Sequence, residues 1–96
     1  MTDHIDETEA MEIEDHIDLH GFLPRDVPSV VETYLLAARS KGFAQVRLIH
    51  GRGHGVQRAR VQSLLKRLTF VRTFGDAPAY LGGWGATIVE LILDEP

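Results

Sequence analysis

The apolar residues of this chain switch repeatedly between a spacing of two and a spacing of about 3.6 residues, and that switching restricts the fold more than any other feature. His16 to Leu19 alternates and stops at Gly21 and Pro24, which reads as a strand. Val27, Val30, Val31, Tyr34, Leu35 and Ala38 then recur at i, i+3, i+4 and i+7, the spacing of one helix face. Asp26 is placed to cap that helix, Pro28 is tolerable in its first turn, and Gly42 is placed to close it. Gln45 to Ile49 is a second strand, rich in β-branched and aliphatic residues. It runs into His50-Gly51-Arg52-Gly53-His54-Gly55, after which Val61, Leu64, Leu65 and Leu68 return to helical spacing. Phe70 to Phe74 is a third strand, Gly75 to Gly85 a loop, and Ala86 to Leu93 a fourth strand. The predicted order is β-α-β-α-β-β. Strands separated by helices need crossover connections, so the sheet is mostly parallel or mixed.

Size and charge narrow the function classes. A chain of 96 residues supports one domain and one modest core. It has no cysteine, which excludes a disulfide framework and thiolate chemistry and suits a reducing cytoplasm. The first residues are acidic and lack an apolar run, unlike a signal peptide, and no stretch nears the roughly 20 apolar residues of a membrane span. No membrane partner is therefore expected. The net charge of −4 conceals an asymmetry. Residues 1–15 hold seven acids and no Lys or Arg, and read as a disordered tail. Residues 16–93 carry ten Lys and Arg against five acids, a net of +5. A basic body permits a polyanionic partner, but on charge alone a solvated surface beside a solubilising tail is the better explanation.

Four features can carry chemistry. Asp18 and His20 are two apart, so on a strand they share a face, and the carboxylate can orient the imidazole for proton transfer. Left alone, Asp-x-His is better explained by two polar residues capping a strand end. Gly51, Gly53 and Gly55 stand between a strand and a helix, where backbone N–H groups and the helix N-terminus can cradle an anion. A tight turn needing positive φ gives the same pattern, and the spacing is not that of a dinucleotide fingerprint. Arg52, Arg58 and Arg60 bring guanidinium groups suited to phosphate, Arg58 being one turn into the helix and placed to face the cradle. Trp84, inside Gly82-Gly83-Trp84-Gly85, is either an exposed ring able to stack on a base or a side chain folded back over the core.

Together these pieces resemble the Smr (small MutS-related) domain family, here as a free-standing domain of the bacterial type. Ile17-Asp18-Leu19-His20-Gly21 resembles its opening L-D-x-H-G motif, and His50-Gly51-Arg52-Gly53 its central H-G-x-G loop. Ala77-Pro78 and Gly82-Gly83-Trp84-Gly85-Ala86-Thr87 are similar to its closing elements. The likeness covers about residues 16–93, with 16–96 taken as the domain. It implies an α/β (α+β two-layer sandwich) fold with a four-stranded mixed sheet, similar to the C-terminal domain of translation initiation factor three. It also implies nicking or endonucleolytic cleavage of DNA or RNA, some relatives acting on messenger RNA bound to the ribosome. There are departures: His54 stands where a small hydroxyl residue is usual, Gln57 where an apolar one is, and Thr69 where a proline is common.

The expectation is a cytoplasmic, monomeric endonuclease that favours RNA. Asp18, His20 and His50 are its catalytic candidates. Gly51, Arg52, Gly53, His54, Gly55, Arg58 and Trp84 are its candidates for holding phosphate or nucleic acid. No cofactor is expected, with a divalent metal left as the competing route. A non-catalytic adaptor for nucleic acid or the ribosome is the second reading, and a binder of small phosphorylated molecules the third.

Overall fold

A computed structural model describes residues 12–93, so the expectations for most of the acidic tail lie outside the described residues. The strands are β1 (His16–Asp18), β2 (Gln45–Ile49), β3 (Val71–Asp76) and β4 (Ala86–Leu91), and the helices are α1 (Val27–Ser40) and α2 (Val56–Leu65). The predicted order β-α-β-α-β-β is the observed one. The strands form one mixed sheet in the order β1-β2-β4-β3. β1 and β2 are parallel, and β4 runs antiparallel to both β2 and β3.

That order follows from the connections. The α1 and α2 segments each carry the chain back along the sheet, so β1, β2 and β3 point the same way. The second crossover leaves one position empty between β2 and β3, and β4 fills it by turning back from β3. The register Asp18↔Ile49, Ile49↔Ala86 and Asp76↔Thr87 then gathers the ends of β1, β2 and β3 and the start of β4 at one edge.

Burial alternates along β2, with Val46 and Leu48 inside and Gln45 exposed, so one face of the sheet is covered. Helix α1 buries Val27, Val31, Tyr34, Leu35 and Ala38 on that face, and α2 adds Val61, Leu64 and Leu65. Leu35, Leu48 and Val89 are wholly buried in this core. The result is a two-layer α+β sandwich. Gly42 closes α1 as its sequence position predicts. At φ 93 it lets Phe43 N–H reach the Ala38 carbonyl while its own N–H reaches that of Arg39, a Schellman turn.

Four local expectations change, the first in β3, which runs on through Gly75 and Asp76 where a loop is expected. Asp26 does not cap α1 through its side chain. It already has helical dihedrals, because a 3-10 turn over Pro24–Asp26 leads straight into the helix. β1 stops at Asp18 rather than Leu19, since the Asp18 carboxylate accepts the His20 N–H and starts a 3-10 turn over Leu19–Gly21. Glu14 and Asp15, read as tail, are tied to the body: the Tyr34 hydroxyl donates to the Glu14 carbonyl and Arg47 N–H to that of Asp15. The Tyr34 phenol is pushed up to about 12 by burial and by the carboxylates of Asp15 and Glu14. Among the described residues no helix is long and apolar enough to cross a membrane.

Candidate active site

Asp18 and His20 meet through a turn. The sequence places them side by side on a strand face, but His20 sits in the 3-10 turn that follows β1. One Asp18 oxygen, Oδ1, accepts both the His20 backbone N–H at 2.9 Å and the ring Nδ1–H at 2.6 Å. These two bonds, the backbone one first, hold the Asp18 carboxyl below the usual carboxylate range. They also fix the ring. With Nδ1 committed to Asp18, Nε2 makes no hydrogen bond among the described residues and faces the loop after β2. A Cβ on Gly51 would stand 2.6 Å from that nitrogen. Gly51 is therefore glycine for two reasons: its φ of 83 and the imidazole lying against it.

The loop after β2 is pinned to the turn before β4. The Gly85 carbonyl accepts N–H groups from His50 at 3.1 Å and Gly51 at 2.8 Å, and the Gly55 N–H donates to the Arg52 carbonyl at 2.9 Å. Gly51 and Gly55 thus spend their amides inside the protein. The amides of Arg52, Gly53 and His54 have no such partner among the described residues, nor do those of Val56, Gln57 and Arg58 at the start of α2. A cleft of about 280 Å³ opens above them, lined by His20, His50, residues 51–55, Val56 and Gln57.

His50 differs from His20 in every respect. It is 6% exposed. Its Nδ1–H donates to the Gly51 carbonyl at 3.0 Å, and its Nε2 accepts from the Thr87 hydroxyl at 2.8 Å. Burial lowers its pKa below the ordinary imidazole value, with the Gly51 carbonyl acting the other way, so it is neutral at pH 7. Thr87 in turn accepts from Gln62 Nε2 at 3.2 Å, and the same amide reaches Asp76 at 3.3 Å. Asp76 receives the Arg58 guanidinium in two parallel bonds of 2.8 and 3.0 Å, which hold its carboxyl low. A polar chain thus runs from the Gly51 carbonyl through His50, Thr87, Gln62 and Asp76 to Arg58. Every buried side-chain nitrogen and oxygen among the described residues has a partner.

Most of the sequence candidates come to this edge. His20, His50, Gly51, Arg52, Gly53, His54 and Gly55 share the cleft, and Asp18 supports it from below. Trp84 lies beside it, since a Cβ on Gly55 would be 3.9 Å from the indole. Arg58 is engaged with Asp76 rather than turned to the loop amides. Arg52 takes an unexpected path: its side chain lies over the turn before β4, where a Cβ on Gly83 would be 3.0 Å from Nη2 and one on Gly85 3.0 Å from Cγ. Sequence reasoning missed the structural parts of Thr87, Gln62 and Asp76. Thr87 does carry a signal, a hydroxyl at a core-facing position of an apolar strand; Gln62 and Asp76 carry none. Among the described residues no three His, Cys, Asp or Glu side chains are grouped as ligands for one metal ion.

Residues 17–92 match the family model described as the Smr domain. The chain is 40% identical over 79 residues to Endonuclease MutS2 of Halalkalibacterium halodurans, covering 82% of this chain and 10% of that protein. It therefore spans about a tenth of the length of the curated relative. Among solved structures it is similar to the Smr domain of Thermus thermophilus MutS2, with a TM-score of 0.77, 35% identity, and coverage of 86% of this chain and 100% of that one. YdaL, a stand-alone small MutS-related protein from Escherichia coli, shares the fold at a TM-score of 0.75 and 22% identity, over 95% of this chain and 77% of that one.

Proposed function

The chain belongs to the Smr domain family, and on that premise we propose that it is an endonuclease, with RNA as the favoured substrate. One observation carries this reading: His20 is held by Asp18 with its free Nε2 turned to a loop of unpaired backbone amides. That pairs a positioned proton-transfer group with a place for a phosphate, and the chemistry of phosphodiester transfer needs both. Messenger RNA on the ribosome is within this substrate class.

On RNA, His20 Nε2 takes the proton of the ribose 2′-hydroxyl as the 2′-oxygen attacks phosphorus, and Asp18 stabilises the imidazolium that forms. The phosphorus–5′-oxygen bond breaks, and a second imidazole protonates the departing oxygen. His54, exposed on the cleft, fills that role better than His50, whose two ring nitrogens are both engaged. The amides of Arg52, Gly53 and His54 stabilise the charge that builds on the phosphate. His50 has the positioning part, holding the Gly51 carbonyl inward. On a competing route the exposed imidazoles and Asp18 would hold a metal ion that activates a water, although among the described residues they are not grouped as ligands for one.

The test incubates the full chain with labelled single- and double-stranded RNA and DNA, with and without EDTA, beside His20→Ala. The expected products carry a 2′,3′-cyclic phosphate and a 5′-hydroxyl, form in EDTA, and come from RNA alone. Loss of cleavage in EDTA would return the metal route, and equal cleavage of DNA would exclude the 2′-hydroxyl as nucleophile. Salt-sensitive binding with no turnover of any substrate would favour the adaptor reading instead.

A further inference from the structure

Resting on the nuclease reading, we propose that Trp84 and Arg52 form a subsite for an unpaired nucleotide beside the cleft, the base stacking on the indole and the guanidinium taking the adjoining phosphate. Trp84 is the chain's one tryptophan and is 43% exposed, absent from the apolar core. It is nevertheless placed with care. It sits in the 3-10 turn Gly83–Gly85, and the Gly85 carbonyl of that turn holds the His50 and Gly51 amides. Its ring approaches Gly55, which itself lines the cleft. The indole therefore stands one residue's width from the phosphate loop, fixed to the same backbone.

Arg52 is fixed from the other side. Its guanidinium lies over Gly83 and its aliphatic stem over Gly85, positions that any Cβ at either glycine would invade. The Arg52 guanidinium makes no hydrogen bond or ion pair among the described residues, whereas that of Arg58 is neutralised by Asp76. An uncompensated cation and an exposed aromatic, flanking a loop of free amides, match the two halves of a nucleotide: phosphate and base. The indole needs a base with an open face. Bases inside a duplex are stacked on both sides, so the subsite takes a single strand or an extruded base, and either sugar serves.

The single tryptophan makes the test direct. Indole emission is followed while the full chain is titrated with oligothymidine of about 15 nucleotides, the scale of one single-strand site. Anisotropy of a fluorescein-labelled copy reports binding independently, and a blunt hairpin duplex is the comparison. The expected result is quenching that saturates together with anisotropy, and affinity for the single strand at least about tenfold above the duplex. Trp84→Leu should weaken single-strand binding about tenfold or more, with Trp84→Phe restoring most of it. Arg52→Gln should weaken binding and flatten its salt dependence by about one phosphate contact. Far-UV circular dichroism checks that each variant keeps the fold. Binding with unchanged indole emission, equal affinity for the duplex, or wild-type affinity in Trp84→Leu would overturn the subsite while leaving the nuclease reading standing. No binding to any oligonucleotide, with no cleavage, would overturn both.

Discussion

Two histidines of one cleft have opposite surroundings, and their variants should separate accordingly. His20 is exposed and touches the rest of the protein through Asp18 and Gly51, so His20→Ala should leave thermal stability nearly unchanged. If it transfers the proton, turnover should fall by about 10²–10⁴-fold, the usual share of a general acid or base, with little change in binding. Asp18→Asn should cost less than His20→Ala, because the amide oxygen can still accept the His20 N–H while the charge is lost. A loss confined to KM in either variant would argue that the pair binds and does not transfer protons. His50 should show itself in stability instead. Its folded pKa lies below the unfolded value, so the unfolded chain binds the extra proton and stability falls as pH drops below about 6.5. Thermal unfolding between pH 7.5 and pH 5 should reveal that slope, and His50→Asn should flatten it. An unchanged slope in the variant would assign the acid sensitivity to other groups.

At the scale of elements, the site depends on two segments far apart in sequence, the loop after β2 and the turn before β4. Thr87→Val keeps the shape of the buried side chain but leaves His50 Nε2 and the Gln62 amide without their shared hydroxyl. It should cost about 1–3 kcal/mol in denaturant unfolding, the range for unsatisfied buried polar groups, and slow cleavage by loosening the Gly51 carbonyl. Gly85→Ala is a purely steric probe. Its Cβ would meet Arg52 Cγ at 3.0 Å and the Arg52 backbone nitrogen at 3.4 Å, whereas Gly75 has open space around it. Gly85→Ala should therefore weaken oligonucleotide binding and Gly75→Ala should not; equal behaviour would mean the loop yields freely. These contacts also mark where sequence reading stops. The helix face of α1, the β2 alternation and the Schellman glycine are local patterns, so they are legible without a fold. The pairing of Asp18 with His20 was legible too, though for the wrong geometric reason. The Thr87–Gln62–Asp76–Arg58 chain joins α2 to β3 and β4 across sequence separations of 14 to 25 residues, and no periodicity encodes such bonds. Arg58 read as a phosphate ligand because its type and position fit one, and only the register of β3 brings Asp76 to it.

For the molecule as a whole, charge distribution rather than net charge should govern its encounter with a polyanion. Residues 16–93 have a net of +5, while residues 1–15 carry seven acids with no compensating base. Within about a Debye length, roughly 8 Å at physiological salt, an acidic segment competes with phosphates for the same cations. Glu14 and Asp15 tie the end of that segment to the body at the start of β1, a strand of only three residues whose other end borders the cleft. Removing residues 1–11 takes away four acids, Asp3, Asp6, Glu7 and Glu9, and leaves Ile13, Glu14 and Asp15 with their contacts. The truncated chain should melt within about a degree or two of the full one, since every core residue among those described is retained. Its affinity for oligonucleotides should rise at low salt, and the difference should close as salt increases and screens the competition. A lower melting temperature would show that residues 1–11 help hold the domain together. Weaker binding on truncation would mean that they contact the nucleic acid or its partner directly instead of competing with it.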